Sequence, residues 1–500
     1  MLKRMFVSPD PGRLRLRSGL RAVLGIGPAV AVCGLAGHSL VAAITGGLAA
    51  LLALFTVLDA TVRDQAITTA LLPAVGFPVL ALAAGLHDHP LARDAAFLAV
   101  MGLGVYARRW GPRGHSLGLF AFMAFFTTQF LHTLPGQLPE LYSAVALSLL
   151  ASSTVRFGLW CYERRLPVAV PTPATGKGLA RATTRQAIQA TVGGALALSA
   201  GLLLSEPRWY WAVGATWWVF VNTASRGETL VRGFRRVLGT LIGIPIGLAV
   251  VVPLHGAAVP SAVVVAISVF GIFYTAAVSY TWMVFSVTVM AGTLYGLLGV
   301  LDPALLMLRL TETGAGALGA MLAVLLVLPV TTHATTDAWI QRALRCVHAC
   351  TAEAAARLSG STTADPAPRI AELEALLGRV RLSLAPLVHP LSPLRARKAR
   401  AGQVLALLDT CAREVRGLAS VAADPEASHD ARLAAACWRV EASVAALTAP
   451  DLPQRAGVPS IPPHQAVAEP ALAHLHGLER ALAELAAPLH SDPRAPLIGV

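Results

Sequence analysis

Along the chain, long apolar runs alternate with short polar connections up to about residue 330, where the pattern changes. Six apolar runs fall near residues 20–37, 39–58, 66–86, 91–107, 117–134 and 141–161. A polar, proline-bearing connection over 163–185 follows, and six more runs lie near 187–205, 210–224, 237–254, 260–278, 282–300 and 310–330. Runs of this length and poverty in charge suit helices crossing a hydrocarbon layer, which takes about 20 residues each. From Thr331 onward the pattern is that of amphipathic helices in water, as in Leu373, Leu376, Leu377 and Val380 at i, i+3, i+4 and i+7. Helical segments are predicted near 336–358, 368–385, 396–420, 428–447 and 466–487, divided by polar or proline-bearing stretches such as 361–368 and 450–463. The predicted fold is all-α: a polytopic membrane protein of two six-helix halves, about twelve transmembrane helices, plus a C-terminal cytoplasmic helical bundle. Its expected parts are a first transmembrane half over 1–162, a cytoplasmic linker over 163–185, a second transmembrane half over 186–330 and a cytoplasmic helical domain over 331–500.

Composition strengthens this picture. Apolar residues make up 55% of the chain and charged residues 13%, about half the charged share of a soluble domain, and the mean hydropathy is +0.63. An ordinary soluble enzyme is excluded. Residues 1–330 hold 23 Lys and Arg against 11 Asp and Glu, while residues 331–500 hold 17 against 16. The basic excess thus belongs to the membrane part, where positive charge collects in cytoplasmic loops, and does not call for a nucleic-acid partner. With the N-terminus inside, 20 of those 23 basic residues fall on the cytoplasmic side and only Arg93, Arg208 and Arg309 outside. One missed or added span would invert every later loop, so twelve spans with both termini cytoplasmic is the consistent reading. The basic N-terminal cluster reads as a retained tail and not a cleaved signal. Both halves begin inside with an even number of spans, which points to parallel repeats and to a substrate site between them.

The candidate chemistry is concentrated in the second half. In FRRVLGTLIGIPIG, Gly239, Gly243 and Gly247 stand at i, i+4 and i+8, a small-residue face for helix packing. Arg236 and Thr240 in the same string are candidates for a substrate pathway. Arg309 and Glu312 are three apart on one helical face; they are either an ion pair at a helix end or part of a pathway or proton relay. Asp59, Arg63 and Asp64 read the same way. Asn222, Thr216 and Thr223 are polar positions in an apolar run, suited to interhelical hydrogen bonds, with Asn222 also a pathway candidate. Trp209, Tyr210 and Trp211 read as an interfacial aromatic belt. Trp217, Trp218 and Phe220 lie deeper and, with Tyr274, Tyr280, Trp282 and Tyr295, could line a cavity for aromatic anions; Trp218 is the candidate among them.

Other signals are negative. The six cysteines, Cys33, Cys161, Cys346, Cys350, Cys411 and Cys437, have no framework spacing. Cys346 and Cys350 share a helical face from which His348 points away, so no metal site is expected. With no Ser-His-Asp pattern and no phosphate-binding glycine loop, neither an enzyme nor a cofactor is expected. The Arg395, Arg397, Lys398 and Arg400 cluster reads as a solvated face, with anionic lipid as the alternative contact.

Taken in order, WAVGATWWVF, RRVLGTLIGIPIG, SYTWMVFSVTVMAGTLYG, RLTETGAGALGA and LVLPV resemble the fusaric acid resistance (FUSC) family, also called aromatic acid exporters. The resemblance is clearest from about Arg185 to Pro329, on Trp211, Arg236, Gly239, Thr240, Gly243, Arg309, Thr313 and Pro329, with Glu312 where an aspartate is common. Around Arg63 the Arg-x-x-Gly-Thr pattern is degenerate, and a short linker stands where a soluble insert is often found. The resemblance implies two six-helix membrane halves, helical cytoplasmic domains and export of aromatic carboxylic acids. The expected function is therefore an inner-membrane transporter exporting small organic, aromatic carboxylic acids with proton coupling. Its expected partners are the lipid bilayer and a small organic anion; a periplasmic adaptor and a second copy of the chain are the further partners this type of exporter admits. The alternatives are an anion channel, as in the plant malate channels that resemble this membrane unit, and a non-transporting scaffold whose cytoplasmic domain binds a partner.

Overall fold

A computed structural model describes residues 14–59, 61–163, 178–205, 207–221, 223, 226–276, 278–328, 332–358, 361, 363–388, 395–422, 431–448 and 469–490. The chain divides into two compact units, residues 1–223 with 229–329 and residues 224–228 with 330–500. Among the described residues every regular element is helical. Asn222, Pro329, the linker residues 164–177 and the side chains of Cys161, Arg395, Arg397 and Lys398 lie outside what is described.

In the apolar unit the helices are α1 (Leu14–Leu35), α2 (Leu40–Thr56), α3 (Val62–Gly85), α4 (Pro90–Tyr106), α5 (Gly111–Phe130), α6 (Leu138–Glu163), α7 (Ala182–Leu204), α8 (Tyr210–Phe220), α9 (Arg226–Val251), α10 (Ala258–Ala276), α11 (Tyr280–Leu297) and α12 (Pro303–Leu326). Local chemistry sets several starts. Ser39 accepts from the Ala42 N–H to begin α2, Thr61 accepts from the Asp64 N–H to begin α3, and Asp302 caps α12 with Pro303 in its first turn. Eight stretches among the described residues are long and apolar enough to cross a membrane, so the chain is a multi-pass membrane protein. One of the eight, Pro90–Phe130, runs α4 and α5 together. Three helices are not among them: α2 has 17 residues, α8 only 11, a rise of about 16 Å and roughly half a hydrocarbon layer, and the 18-residue α11 is interrupted by Thr, Ser, Tyr and Gly. The expectation of twelve spans therefore counts more crossings than length and apolarity alone support.

Helices from the two sequence halves interleave. One group joins α1, α2 and α6 to α10, which pairs with α11; the other joins α3, α4 and α5 to α7, α8 and α12. In the first group Ala22, Ile26, Ala50 and Leu54 pack with Val269, Ile272 and Phe273. In the second an aromatic layer forms the core: Phe97 stacks on Phe122 and Phe125 at 5.0 and 4.8 Å, and Phe122 lies 4.2 Å from the Trp217 ring, nearly parallel to it. Helix α9 joins both groups. A Cβ at Gly239 would sit 2.6 Å from the Thr281 carbonyl oxygen of α11, and one at Gly233 would sit 3.0 Å from Met321 of α12. Along the face from Gly239 to Gly247 the contact loosens, to 2.8 Å at Gly243 and 3.7 Å at Gly247.

In the second unit lie α13 (Thr332–Leu358), α14 (Ala367–Val388), α15 (Arg395–Ala422), α16 (Ala431–Thr448) and α17 (Glu469–His490), at the segments the amphipathic pattern predicts. Leu373, Leu376, Leu377 and Val380 are all buried in its core with Leu344, Leu408 and Leu475. Cys346, Cys350, Cys411 and Cys437 are free and buried there. Burial pushes the Cys411 thiol up to about 12 and the Cys437 thiol up to about 11. Among the described residues no group of side chains could hold a metal ion.

Candidate functional site

A cavity with about 960 Å³ of empty space, part of it open to the surroundings, lies between the two groups of helices. Helix α2 lines it with Leu48, Leu51, Leu52 and Phe55, and α5 with Met123, Phe126 and Phe130. Across from them stand Trp211, Gly214 and Trp218 of α8, Ile272 of α10, and Met283, Val284, Val287, Met290, Ala291 and Leu294 of α11. The wall is apolar and aromatic except for two guanidiniums, Arg236 of α9 and Arg309 of α12.

Both arginines are buried, at 7% and 4% exposure. Arg236 donates from Nη1 to the Tyr280 hydroxyl at 3.3 Å, and that hydroxyl donates onward to the Trp218 carbonyl at 3.1 Å. Its Nε has no partner. The Arg309 guanidinium lies 4.2 Å from the centre of the Trp211 ring, and its Nη1 is likewise without a hydrogen-bond partner. Burying a charge with donors unused costs several kcal/mol, so packing alone does not account for these two residues. They can receive an anion, because a planar guanidinium offers paired N–H groups matched to a carboxylate.

Near Arg309 lies a concentration of unsatisfied polar atoms. Glu312, one turn along α12, is 1% exposed with Oε1 unpartnered, and the Tyr210 and Tyr295 hydroxyls and the Trp211 Nε1 are also buried without partners. Arg208 sits 5.6 Å from the centre of the Tyr295 ring. No ion pair joins Arg309 to Glu312 among the described residues. Both groups lie inside the packed unit, away from the interfacial helix end where a simple pair would belong.

The other sequence candidates fall variously. Trp218 lines the cavity, while Thr240, buried one turn beyond Arg236, does not. Gly239 and Gly243 press against α11. Trp209 and Tyr210 are buried at 2% and 1% and Trp211 faces the cavity, so these residues form part of the packed core and not a lipid-facing belt. Trp217 is spent on the Phe122 stack, and Trp282 is exposed on the outer surface. Thr216 hydrogen-bonds the Gly316 carbonyl at 2.8 Å, tying α8 to α12. Asp64 pairs with Arg113 at 2.8 Å and Arg63 is exposed, so neither reaches the site.

Three arginines taken from the sequence as loop charges turn out to hold helix ends. Arg156 is 4% exposed and donates to the Val57 and Ala53 carbonyls at 2.7 and 2.5 Å, closing the last turn of α2. Arg108 donates to the Phe220 carbonyl at 2.9 Å, and Arg232 donates to the Trp218 carbonyl at 3.1 Å while lying 3.9 Å from the centre of the Tyr280 ring. Together these two fix the carbonyl end of the short α8. The 226–236 stretch, expected as a loop on account of its arginines, is the beginning of α9, whose charges find carbonyl and aromatic partners.

Residues 195–323 match the model of the fusaric acid resistance protein-like family. The family segment runs from late α7 through most of α12, so it contains Trp211, Trp218, Arg236, Arg309 and Glu312. No curated protein matches the chain. The resemblance read from the second-half strings is thus found independently, over the helices that supply both cavity arginines.

Proposed function

We propose that the protein is a transporter of the bacterial inner membrane, with both termini cytoplasmic, that exports small organic, chiefly aromatic carboxylic, acids with proton coupling. The observation that carries this reading is the pair of buried guanidiniums with unused N–H groups in a cavity otherwise built of aromatic and aliphatic side chains. A carboxylate would take up the free donors of Arg236 or Arg309, and Trp211, Trp218, Phe126 and Phe130 offer ring faces and edges to an aromatic body. Glu312 is the titratable carboxyl closest along the chain to that cation pair and the candidate for proton coupling. The short α8 and its bound carbonyl end resemble the broken helices that surround midplane sites in secondary transporters. The test is transport of radiolabelled benzoate by the purified chain in proteoliposomes. Saturable, counterflow-competent benzoate movement, lost on Arg309→Gln, is the expected result. No movement across a panel of aromatic acids would overturn the reading, and unitary ion conductance in planar bilayers would replace the carrier with a channel.

A further inference from the structure

Glu312 and Arg309 stand one helical turn apart on α12, both buried, each with a polar atom that nothing satisfies. The charged and titratable groups around Glu312 are few. Arg309 and Arg208 act on it electrostatically, and Tyr210 of α8 and Tyr295 of α11 feel its charge in turn. Arg236 of α9 acts on Arg309. Helix α7, packed along α12, brings no ionisable side chain to this level, since its one such residue, Arg185, lies toward the opposite end, where Gln189 hydrogen-bonds the Val327 carbonyl. Among the described residues, Glu312 is therefore an acidic group set among positive charges, two of which, Arg236 and Arg309, line the cavity.

We infer that Glu312 makes proton binding and anion binding at Arg309 mutually reinforcing, so that the occupied site holds a proton and the anion together. This deepens the transport reading above and rests on it. With Glu312 ionised, its negative charge offsets Arg309 and repels an arriving carboxylate. With Glu312 protonated, the carboxylate meets an uncompensated guanidinium. Residues three apart on a helix have Cβ atoms about 5–6 Å apart, and two charges about 6 Å apart at an effective dielectric constant of about 20 would change anion affinity by roughly 100-fold. Reciprocity requires the bound anion to raise proton affinity by the same factor. The opposite arrangement, in which a proton displaces the anion, would leave the empty site more positive still, with nothing among the described groups to offset it. The balance of the step is simple: one carboxylate and one proton enter the cavity and the proton resides on Glu312, so loading the site adds no net charge.

The experiment measures benzoate binding to the full-length protein by intrinsic tryptophan fluorescence from about pH 5 to about pH 9, a range in which benzoate remains ionised. Wild-type affinity is expected to strengthen as the pH falls, by at most about tenfold per unit, and to level off at each end. Glu312→Gln, which mimics the protonated form, should bind tightly with no pH slope, and Glu312→Asp should keep the slope. In weakly buffered solution, binding to wild type should take up a fraction of a proton per benzoate, a readout that needs no variant. A flat wild-type profile, a slope of opposite sign, proton release on binding, or a Glu312→Gln protein with the full slope would each overturn the inference while leaving the anion site standing. Absence of benzoate binding at every pH would overturn the transport reading itself, and the inference with it.

Discussion

Replacing Arg236 by methionine separates a functional arginine from a structural one. Methionine keeps most of the side chain's length and removes the charge. In the protein Arg236 is 7% exposed, has one hydrogen bond at 3.3 Å to the Tyr280 hydroxyl, and leaves Nε unpartnered. A hydrogen bond to a charged group contributes about 1.5–3 kcal/mol, and at 3.3 Å the lower end applies. The effective cost of burying the ion is several kcal/mol. Tyr280 is not orphaned by the change, because its hydroxyl still donates to the Trp218 carbonyl. Arg236→Met should therefore leave stability unchanged or raise it by about 1–4 kcal/mol. Losing a charge-assisted contact to a buried carboxylate costs about 2–5 kcal/mol, so benzoate affinity should fall by roughly 30- to 4000-fold. Thermal unfolding in detergent micelles and tryptophan-monitored benzoate titration, run on the same preparation, measure both. A variant that unfolds several degrees early, or one that binds benzoate as wild type does, would refute the argument.

Arg156→Met is the contrasting case: it strips two carbonyls of α2 of a buried donor and should destabilise by about 2–4 kcal/mol, read by the same unfolding assay. The glycine face of α9 predicts a graded series, with Gly239→Ala destabilising by about 1–3 kcal/mol because a carbonyl oxygen stands 2.6 Å away. Gly247→Ala, with its nearest neighbour at 3.7 Å, should stay within about 0.5 kcal/mol of wild type. In the C-terminal unit, Cys411 should resist maleimide at about pH 8 until denaturant is added, as mass spectrometry would register, because burial holds its thiol protonated. Its pKa is raised on folding from 9.0 to about 12, so the stabilisation it reports is full below pH 9 and fades as the pH rises toward 12. Urea melts of this unit across that range should show the decline.

Much of the helical layout was legible because apolar runs in a membrane protein have few alternative uses. The start of α9 was not, since four arginines within eleven residues look like a loop until Arg232 is seen against the Trp218 carbonyl and the Tyr280 ring. The site was half legible. Arg236, Arg309 and Glu312 stand out as ionisable groups in apolar surroundings, whereas Leu48, Phe55, Met123 and Phe130 are cavity residues that look like any other apolar positions. The aromatic run at 209–211 misled in the other direction: belt residues and core residues have the same composition, and only the neighbours Phe97 and Phe126 distinguish them.

The interleaving of helices has a mechanical corollary. The boundary suggested by the linker is not a seam along which this protein can flex, because α4 and α5 are stacked through aromatic rings onto α8, and α10 is packed against α1. The cavity lies instead between α2, α10 and α11 on one side and α5, α8 and α12 on the other, a boundary that Ser116 of α5 crosses by donating to the Thr56 carbonyl of α2. Helix α9 touches both sides, α12 at Gly233 and α11 at Gly239, and its contact with α11 loosens toward Gly247. It would act as a strap with a fixed end and a free end, limiting how far, and at which end first, the two bodies can part. Chain fragments cut at the linker would each carry portions of both bodies, and neither would be a half-sized carrier.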